Sequence, residues 1–429
     1  MPVPPSCSPN CLPALTAAIA ACASQPAPCT VQLSAGTYPL PVSYGGTAFT
    51  VVGASNFTFA GVGDATLLLL GDIANLFVVR GGSNVTFSSF AVDSVRVPFT
   101  LAYSTSDTSQ GTLLTFDATG LYAMDFARFP WLNRAQSVLG YDEARGRPSA
   151  PPNVTDIYAL DKPIGLTYLS STGPTAVVRL EGAHVLLGQW HILRHQVYSF
   201  NALTFYSTIN VAVLNVSLFS MGGMGLYTDG VTGVVVDGFS IRKLPGRPMS
   251  ICADGMHFSN TRGGTVLIQN SLLEGQGDDG MNIPTIFQQI GRLSGSGLDF
   301  QVQARNQPCP AQPLFAAGDT VNFFNISSMA PLGQGVVATL GPNLTVTLTA
   351  PVPPGVGLFT LVNNAAQYAG SVVLQNNTFR NNRARGALLK SSNVVASGNT
   401  FEGCSLPAAK TETDGCCAFF APPPPARLV

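Results

Sequence analysis

Three aspartates hold the chemistry this chain could perform. Asp254 lies in CADGMHF, and the doublet Asp278-Asp279 lies in EGQGDDGMN, 24 and 25 residues further on, in a chain of which only 10% is charged. That interval matches one turn of a parallel β-helix, where a residue one coil later lands on the same face, roughly 4.8 Å from its predecessor. Carboxylates stacked so closely cannot all ionise freely, and one tends to keep its proton while another stays anionic. An acid beside a carboxylate suits the hydrolysis of a glycosidic bond: one protonates the departing oxygen and the other activates water. Taken singly, Asp254-Gly255 and Asp279-Gly280 also read as turn pairs; the doublet, the interval and the scarcity of acids together favour catalysis.

The elements that must position these residues are degenerate repeats. Alternating apolar and polar residues flanked by Asn or Gly recur in Asn56-FTFAG, Asn84-VTFSSFAVD, Asn210-VAVLNVSLF, Gly233-VVVDGFSI, Gly264-TVLIQNSLLEG, Ser371-VVLQNNTF and Asn393-VVASGNTF. Each unit is a period-two strand too short to stand alone, so neighbours must stack to bury a shared interior. The expected fold is all-β, a right-handed parallel β-helix with an N-terminal capping helix in LPALTAAIAACA and an inserted small β-barrel-like domain. Expected boundaries are a cap and first strand over 1–35 and coils over 36–284 with irregular loops around 105–175. An inserted β-rich subdomain follows over 285–365, then further coils over 366–404 and a flexible Pro-rich tail over 405–429.

A net charge of -1 with no basic patch argues against nucleic acid as a partner. No apolar run reaches the roughly 18 residues a membrane-crossing helix needs. Four of the nine cysteines, Cys7, Cys11, Cys22 and Cys29, crowd the start and three the end, as disulfide-stapled caps in an oxidising compartment would have them. With seven Asn-X-Ser/Thr sequons, beginning at Asn56-Phe-Thr, the pattern points to a secreted or vacuolar protein, although no signal peptide is visible in the chain.

Several residues near the acids are candidates for binding sugar, each with a plain structural alternative. His257 follows Asp254 by three positions, which alternation puts on the opposite face unless Gly255 breaks the phase. Asn282 follows the doublet closely enough to reach the same pocket, or belongs to an Asn ladder. Arg194 and His195 in WHILRHQVYSF read equally as binding residues or as a rim pair. Trp131 and Trp190 could stack on a sugar but are more often core residues, and Glu274 could support the acids or lie on the surface.

The run GMGLYTDGVTGVVVDGFSIRKLPGRPMSICADGMHFSNTRGGTVLIQNSLLEGQGDDGMN, from Gly223 to Asn282, resembles the β-helical exo-α-1,3-galactosidases of glycoside hydrolase family 110 and, more distantly, the polygalacturonases. The resemblance implies inverting hydrolysis of a terminal α-linked galactose on an oligosaccharide or polysaccharide, with no metal and no organic cofactor. It carries the catalytic role to Asp254, Asp278 and Asp279. By analogy with the polygalacturonase layout, Asp278 protonates the leaving oxygen while Asp254 and Asp279 hold water. Arg385 stands where the family has an Arg-Gly, and its planar guanidinium suits hydroxyls or a carboxylate. After the doublet the family continues into His-Gly, whereas this chain has Asn282-Ile283. Two alternatives stay open: a polygalacturonase, polysaccharide lyase or epimerase on the same scaffold, which needs a cleft lined by Lys and Arg, of which only Arg385 and Lys390 stand out near the acids; and a non-catalytic cell-wall or adhesive solenoid.

Overall fold

The computed structural model describes residues 2–3, 7, 9–149, 155–285, 287–302, 315–367, 369–391, 393–410 and 427–428. Its frame is three parallel sheets wound from successive short strands. The sheet that bears the acids consists of β1 (Thr47–Val52), β2 (Asn75–Arg80), β3 (Leu203–Tyr206), β4 (Leu226–Asp229), β5 (Met256–Ser259), β6 (Met281–Ile283), β7 (Ala387–Leu389) and β8 (Ala409–Lys410), each paired with the next. This is the parallel β-helix expected from the repeats.

Local chemistry explains why the repeats begin on Asn or Gly. Asn56, Asn84, Asn210 and Asn393 sit at φ 54 to 56°, and Gly233 and Gly264 at 75° and 67°. In this left-handed region Asn is tolerated and Gly is unstrained. The residues stack from coil to coil, and the side-chain amides become a ladder: Asn84 Nδ2 donates to Asn56 Oδ1 and Asn210 Nδ2 to Asn84 Oδ1, both at 3.0 Å. One coil later the ladder ends at Gly233, where a Cβ would meet Asn210 Oδ1 at 2.9 Å.

Alternation then sorts the side chains. In β2, Phe77 and Val79 point inward and are fully buried, while Val78 and Arg80 point outward. Inward residues of all three sheets meet in a shared core, in which Phe77 lies 4.9 Å from Phe49, 4.9 Å from Phe59 and 4.6 Å from Phe87, measured between ring centres. Each fully buried Phe contributes on the order of 2–3 kcal/mol by leaving water. The N-terminal end of this core is closed by α1 (Leu12–Ala23), whose Leu15, Ile19 and Cys22 recur at helical spacing and are buried. Disulfides Cys7–Cys11 and Cys22–Cys29 tie the helix to what precedes and follows it. No described helix is long and apolar enough to cross a membrane.

Two excursions leave the coil without breaking its stacking. Between β2 and β3, where irregular loops around 105–175 were expected, strands from Phe99 to Arg194 form a nine-stranded antiparallel sheet with its own core. Bulges at Ser104/Ser106 and Tyr168/Ser170 interrupt the alternation of its long strands, which hides them from a period-two reading. After β6, six strands between Gln288 and Asn364 close into a barrel around Ile290, Phe300, Val321, Phe323 and Val346. Most of the expected Pro-rich tail, with Cys416 and Cys417, lies outside the described residues.

The ladder is open to a direct test. Asn84→Ala removes two amide hydrogen bonds and forces a Cβ residue without a compensating amide into the left-handed region, for an expected loss of about 2 kcal/mol by chemical denaturation. Asn84→Gly, which keeps the backbone relaxed, should cost about half as much.

Candidate active site

Register in the acid-bearing sheet decides where the aspartates fall. Leu203, Leu226, Met256, Met281 and Ala387 are successive partners along β3 to β7. Two residues ahead of each stand Asn201, Met224, Asp254, Asp279 and Arg385, so these five also form a column. The backbone bonds that hold the column run from Gly225 N–H to Asp254 O (3.2 Å), Gly255 N–H to Asp279 O (2.9 Å) and Gly280 N–H to Arg385 O (2.9 Å). Glycine is required between column and strand because the coils touch there. A Cβ on Gly255 would lie 2.4 Å from Gly280 O, and one on Gly280 2.5 Å from Gly386 O.

Asp254, Asp279 and Arg385 are therefore stacked neighbours, and Asp278 lies one position before Asp279. One carboxylate oxygen from each of the three aspartates lies within 4.8 Å of the others, and the residues are only 4%, 9% and 2% exposed in the order Asp254, Asp278, Asp279. This brings together the three acids singled out from the sequence. The spacing is shorter than the roughly 6.5 to 9.5 Å typical of an inverting acid and base pair.

Each acid has its own partners. Asp279 is clamped by Arg385, which donates its backbone N–H at 2.8 Å and its Nη1 at 3.2 and 3.0 Å to the two carboxylate oxygens. Asp254 accepts the Asp279 backbone N–H at 3.2 Å and is hydrogen bonded to His257 Nδ1 at 2.7 Å. His257 thus shares the acids' side of the sheet: Asp254 precedes the strand, so alternation within β5 does not separate them. Asn282 is the register partner of His257, placing it beside the same pocket with its Oδ1 buried and without a hydrogen-bond partner among the described residues.

Asp278 draws on the excursion. Tyr198 donates to its Oδ2 at 2.5 Å and Tyr158 at 3.4 Å, while Arg383 Nη1 lies 3.4 Å from Oδ1 and its Nη2 pairs with Asp156. The two tyrosine rings stack, 6.4 Å apart. Burial pushes the Tyr158 phenol up to about 12 and raises Tyr198 further, so both remain donors at any working pH. None of Tyr158, Tyr198, Arg383 and Asp156 was singled out from the sequence. Tyr198 lies in the WHILRHQVYSF run that was, and Arg383 stands two residues before Arg385, but no coil periodicity places Asp156 and Tyr158.

Two expected sugar contacts are corrected. Arg194 is fully buried: its Nη1 donates to the carbonyls of Cys252 and Gly277 at 2.6 and 2.9 Å, and its Nη2 to Ser137 at 2.7 Å. It fastens the Asp278 loop to the antiparallel sheet and cannot reach a ligand. His195 is 2% exposed, held between Thr100 and the Arg134 carbonyl, and burial beside Arg96 lowers it to about 3. It is a neutral core histidine. Trp131 is likewise buried, donating to Asp72, and Trp190 packs on Tyr103 in the antiparallel sheet. Glu274 pairs with Arg380.

Electrostatics follow from burial and crowding. Burial raises Asp254, partly offset by its bond to His257. Asp279 is raised well above the usual carboxylate range by burial and by the adjacent Asp278 and Asp254, against the pull of Arg385. Asp254 and Asp279 consequently do not ionise independently of their neighbours. The three carboxylates could also share a hard cation, but Arg383, Arg385 and His257 already provide them with protein donors.

No protein-family model matches the chain. Among curated proteins it is similar to Alpha-1,3-galactosidase B of Akkermansia muciniphila, 30% identical over 207 residues that cover 47% of this chain and 26% of that protein. It is similar also to Alpha-1,3-galactosidase A of Streptomyces avermitilis, 33% identical over 223 residues covering 47% and 35%. The resemblance drawn from the Gly223–Asn282 run is met by these relatives, of whose length the chain spans between a quarter and about a third. Among solved structures, the A-module of a mannuronan C-5 epimerase from Azotobacter vinelandii aligns over 93% of this chain and 69% of its own, at 12% identity and a TM-score of 0.35; the fold described above rests on the strand pairings alone.

A carboxyl whose folded pKa is raised favours the folded state when protonated and opposes it once ionised. For Asp279 this penalty is absent below the ordinary carboxylate value of about 4 and grows as pH rises towards its raised value. The stability of Asp279→Asn relative to the native chain, measured by denaturation across pH, should therefore improve from about pH 4 upward. A difference that stays flat would contradict the raised value.

Proposed function

We propose that this chain is a glycoside hydrolase that removes terminal α-linked galactose, α-1,3-linked, from an oligosaccharide or polysaccharide. The observation that carries the proposal is the stacked, buried cluster of Asp254, Asp278 and Asp279; the similarity to α-1,3-galactosidases supports the sugar. Asp278 is the most exposed of the three, which suits the group that meets the leaving oxygen. Tyr198 and Tyr158 fix the orientation of its carboxyl. Asp254 and Asp279 lie deeper and stack directly, a site for the attacking water, with His257 and Arg385 holding their geometry. Asp279 must lose its proton to act as base, so its raised pKa sets the acidic limb of the pH profile above the usual carboxylate range. The two disulfides at the cap suit secretion or a vacuole.

One observation favours a second stereochemical reading. Each aspartate has an oxygen within 4.8 Å of one on the others, nearer the roughly 5 Å of retaining pairs, in which a carboxylate attacks carbon, than the wider inverting spacing. The first anomer formed, followed by NMR, separates the two readings.

The lyase and epimerase alternative is weakened by how the arginines are used. Contrary to the sequence expectation, basic groups do crowd the acids: Arg194, Arg383 and Arg385 all approach. Their guanidinium groups, however, bind protein carbonyls and carboxylates. They offset buried negative charge in place of presenting a positive cleft, which fits a neutral sugar.

With nitrophenyl α-galactoside as substrate, Asp278→Asn should lower kcat by about a thousandfold or more while the thermal midpoint stays within a few degrees. Turnover retained in that variant would remove the assignment. Tyr198→Phe should lower kcat about tenfold with little change in KM, as loss of a hydrogen bond that orients the acid predicts. Chelator should leave turnover unchanged; loss on chelation would favour a metal-dependent lyase.

A further inference from the structure

A polar cavity of about 210 Å³ opens on the outer face of β1, β2 and β3, lined by Thr50, Asn75, Arg80, Asn201, Thr204 and Tyr206 among others. It belongs to the same face as the acids. Asn75 is the register partner of Thr47, and Asn201 precedes β3 in the column that continues through Met224 to Asp254 and Asp279. The outward column further along the strands runs Thr50, Val78, Thr204, Tyr227, His257, Asn282. Cavity and acid cluster thus lie on one face of the sheet, in line across the strands. Asn201 lies two strands from Asp254, about 10 Å at ordinary strand spacing.

A continuous line of aromatic contacts connects them. The Arg80 guanidinium lies 4.3 Å over the Tyr206 ring, Tyr206 is 6.1 Å from Tyr227, and Tyr227 is 5.8 Å from His257, which holds Asp254. Tyr206 and Tyr227 meet edge to face, so each ring offers the apolar face of a different sugar a surface to lie on, while flanking Asn and Thr bind its hydroxyls. Arg80 is exposed and has no ion pair among the described residues, so its donors are available to a ligand.

We propose that this cavity is a distal subsite that receives a sugar ring of the glycan at least one unit beyond the ring attached to the cleaved galactose, with Tyr227 as the platform between. The proposal rests on the hydrolase reading above and adds a chain-length preference to it. Ten ångströms exceeds a single glycosidic step, so an intervening ring spans the gap. Arg80 and Tyr206 act only on substrates long enough to reach them.

The test compares kcat/KM for an α-1,3-galactosyl disaccharide with that for a tetrasaccharide ending in the same disaccharide. The native chain should prefer the tetrasaccharide by about tenfold, the worth of one charged hydrogen bond, and Arg80→Ala and Tyr206→Ala should each bring the ratio close to unity. Misfolding cancels in the ratio, because both substrates meet the same folded fraction. A native ratio near unity, or a native preference that both variants keep, overturns the subsite and leaves the hydrolase reading intact. Failure of the native chain to cleave either substrate overturns the hydrolase reading, and the subsite with it.

Discussion

Strand stacking at a fixed step is the constraint from which the rest of this structure follows. A residue repeated one coil later has only one place to go, beside its predecessor, and the hydrogen bonds of the parallel sheets hold it there. At Gly255 and Gly280 the backbones approach so closely that a side chain would strike the next coil's carbonyl. This contact keeps Asp254 over Asp279 and Asp279 beside Arg385. The same step aligns the Asn ladder on one edge of the coil and the Tyr206, Tyr227 and His257 rings on the acid-bearing face.

Stacking acids creates an energetic problem that the remainder of the site answers. Three buried carboxylates within a few ångströms repel one another and lose hydration, which raises Asp254 and Asp279. Arg385 compensates from within the coil. Arg383 does so from a neighbouring turn, shared between Asp278 and Asp156. The antiparallel excursion supplies the remaining donors, Tyr158 and Tyr198, and is itself tied to the Asp278 loop by buried Arg194. That excursion is therefore part of the site's electrostatics as well as its wall. A cluster so balanced holds protons on Asp254 and Asp279 above the ordinary carboxylate range without presenting open cationic groups to the groove.

What could be read in advance differed by residue. Asp254, Asp278, Asp279, His257, Asn282 and Arg385 converge because all lie on the coil, where sequence interval translates directly into distance. Arg194 and His195 looked equally eligible by residue type, yet Arg194 ends a strand of the excursion and is used up on coil carbonyls, and His195, just after it, is buried against Thr100 and Arg134. Tyr198 lies only a few residues beyond them and reaches Asp278. Nothing in the pattern of WHILRHQVYSF distinguishes the three, since the strand pairs with Phe99–Thr108 and Ser137–Asp142, partners far away in the chain.

The amino-acid sequence by itself determined the coil, its cap and the acid column, because short-period alternation, left-handed Asn and Gly positions and an interval of one turn are local facts that admit one way of stacking. Only the tertiary structure decided which groups complete the site. Asp156 and Tyr158 enter from an inserted sheet and Tyr198 from the loop that follows it, and Arg80 joins Tyr206 on the acids' face from a coil more than a hundred residues earlier. No repeat relates those segments to the aspartates, so their placement depends on the packing of the excursion against the coil.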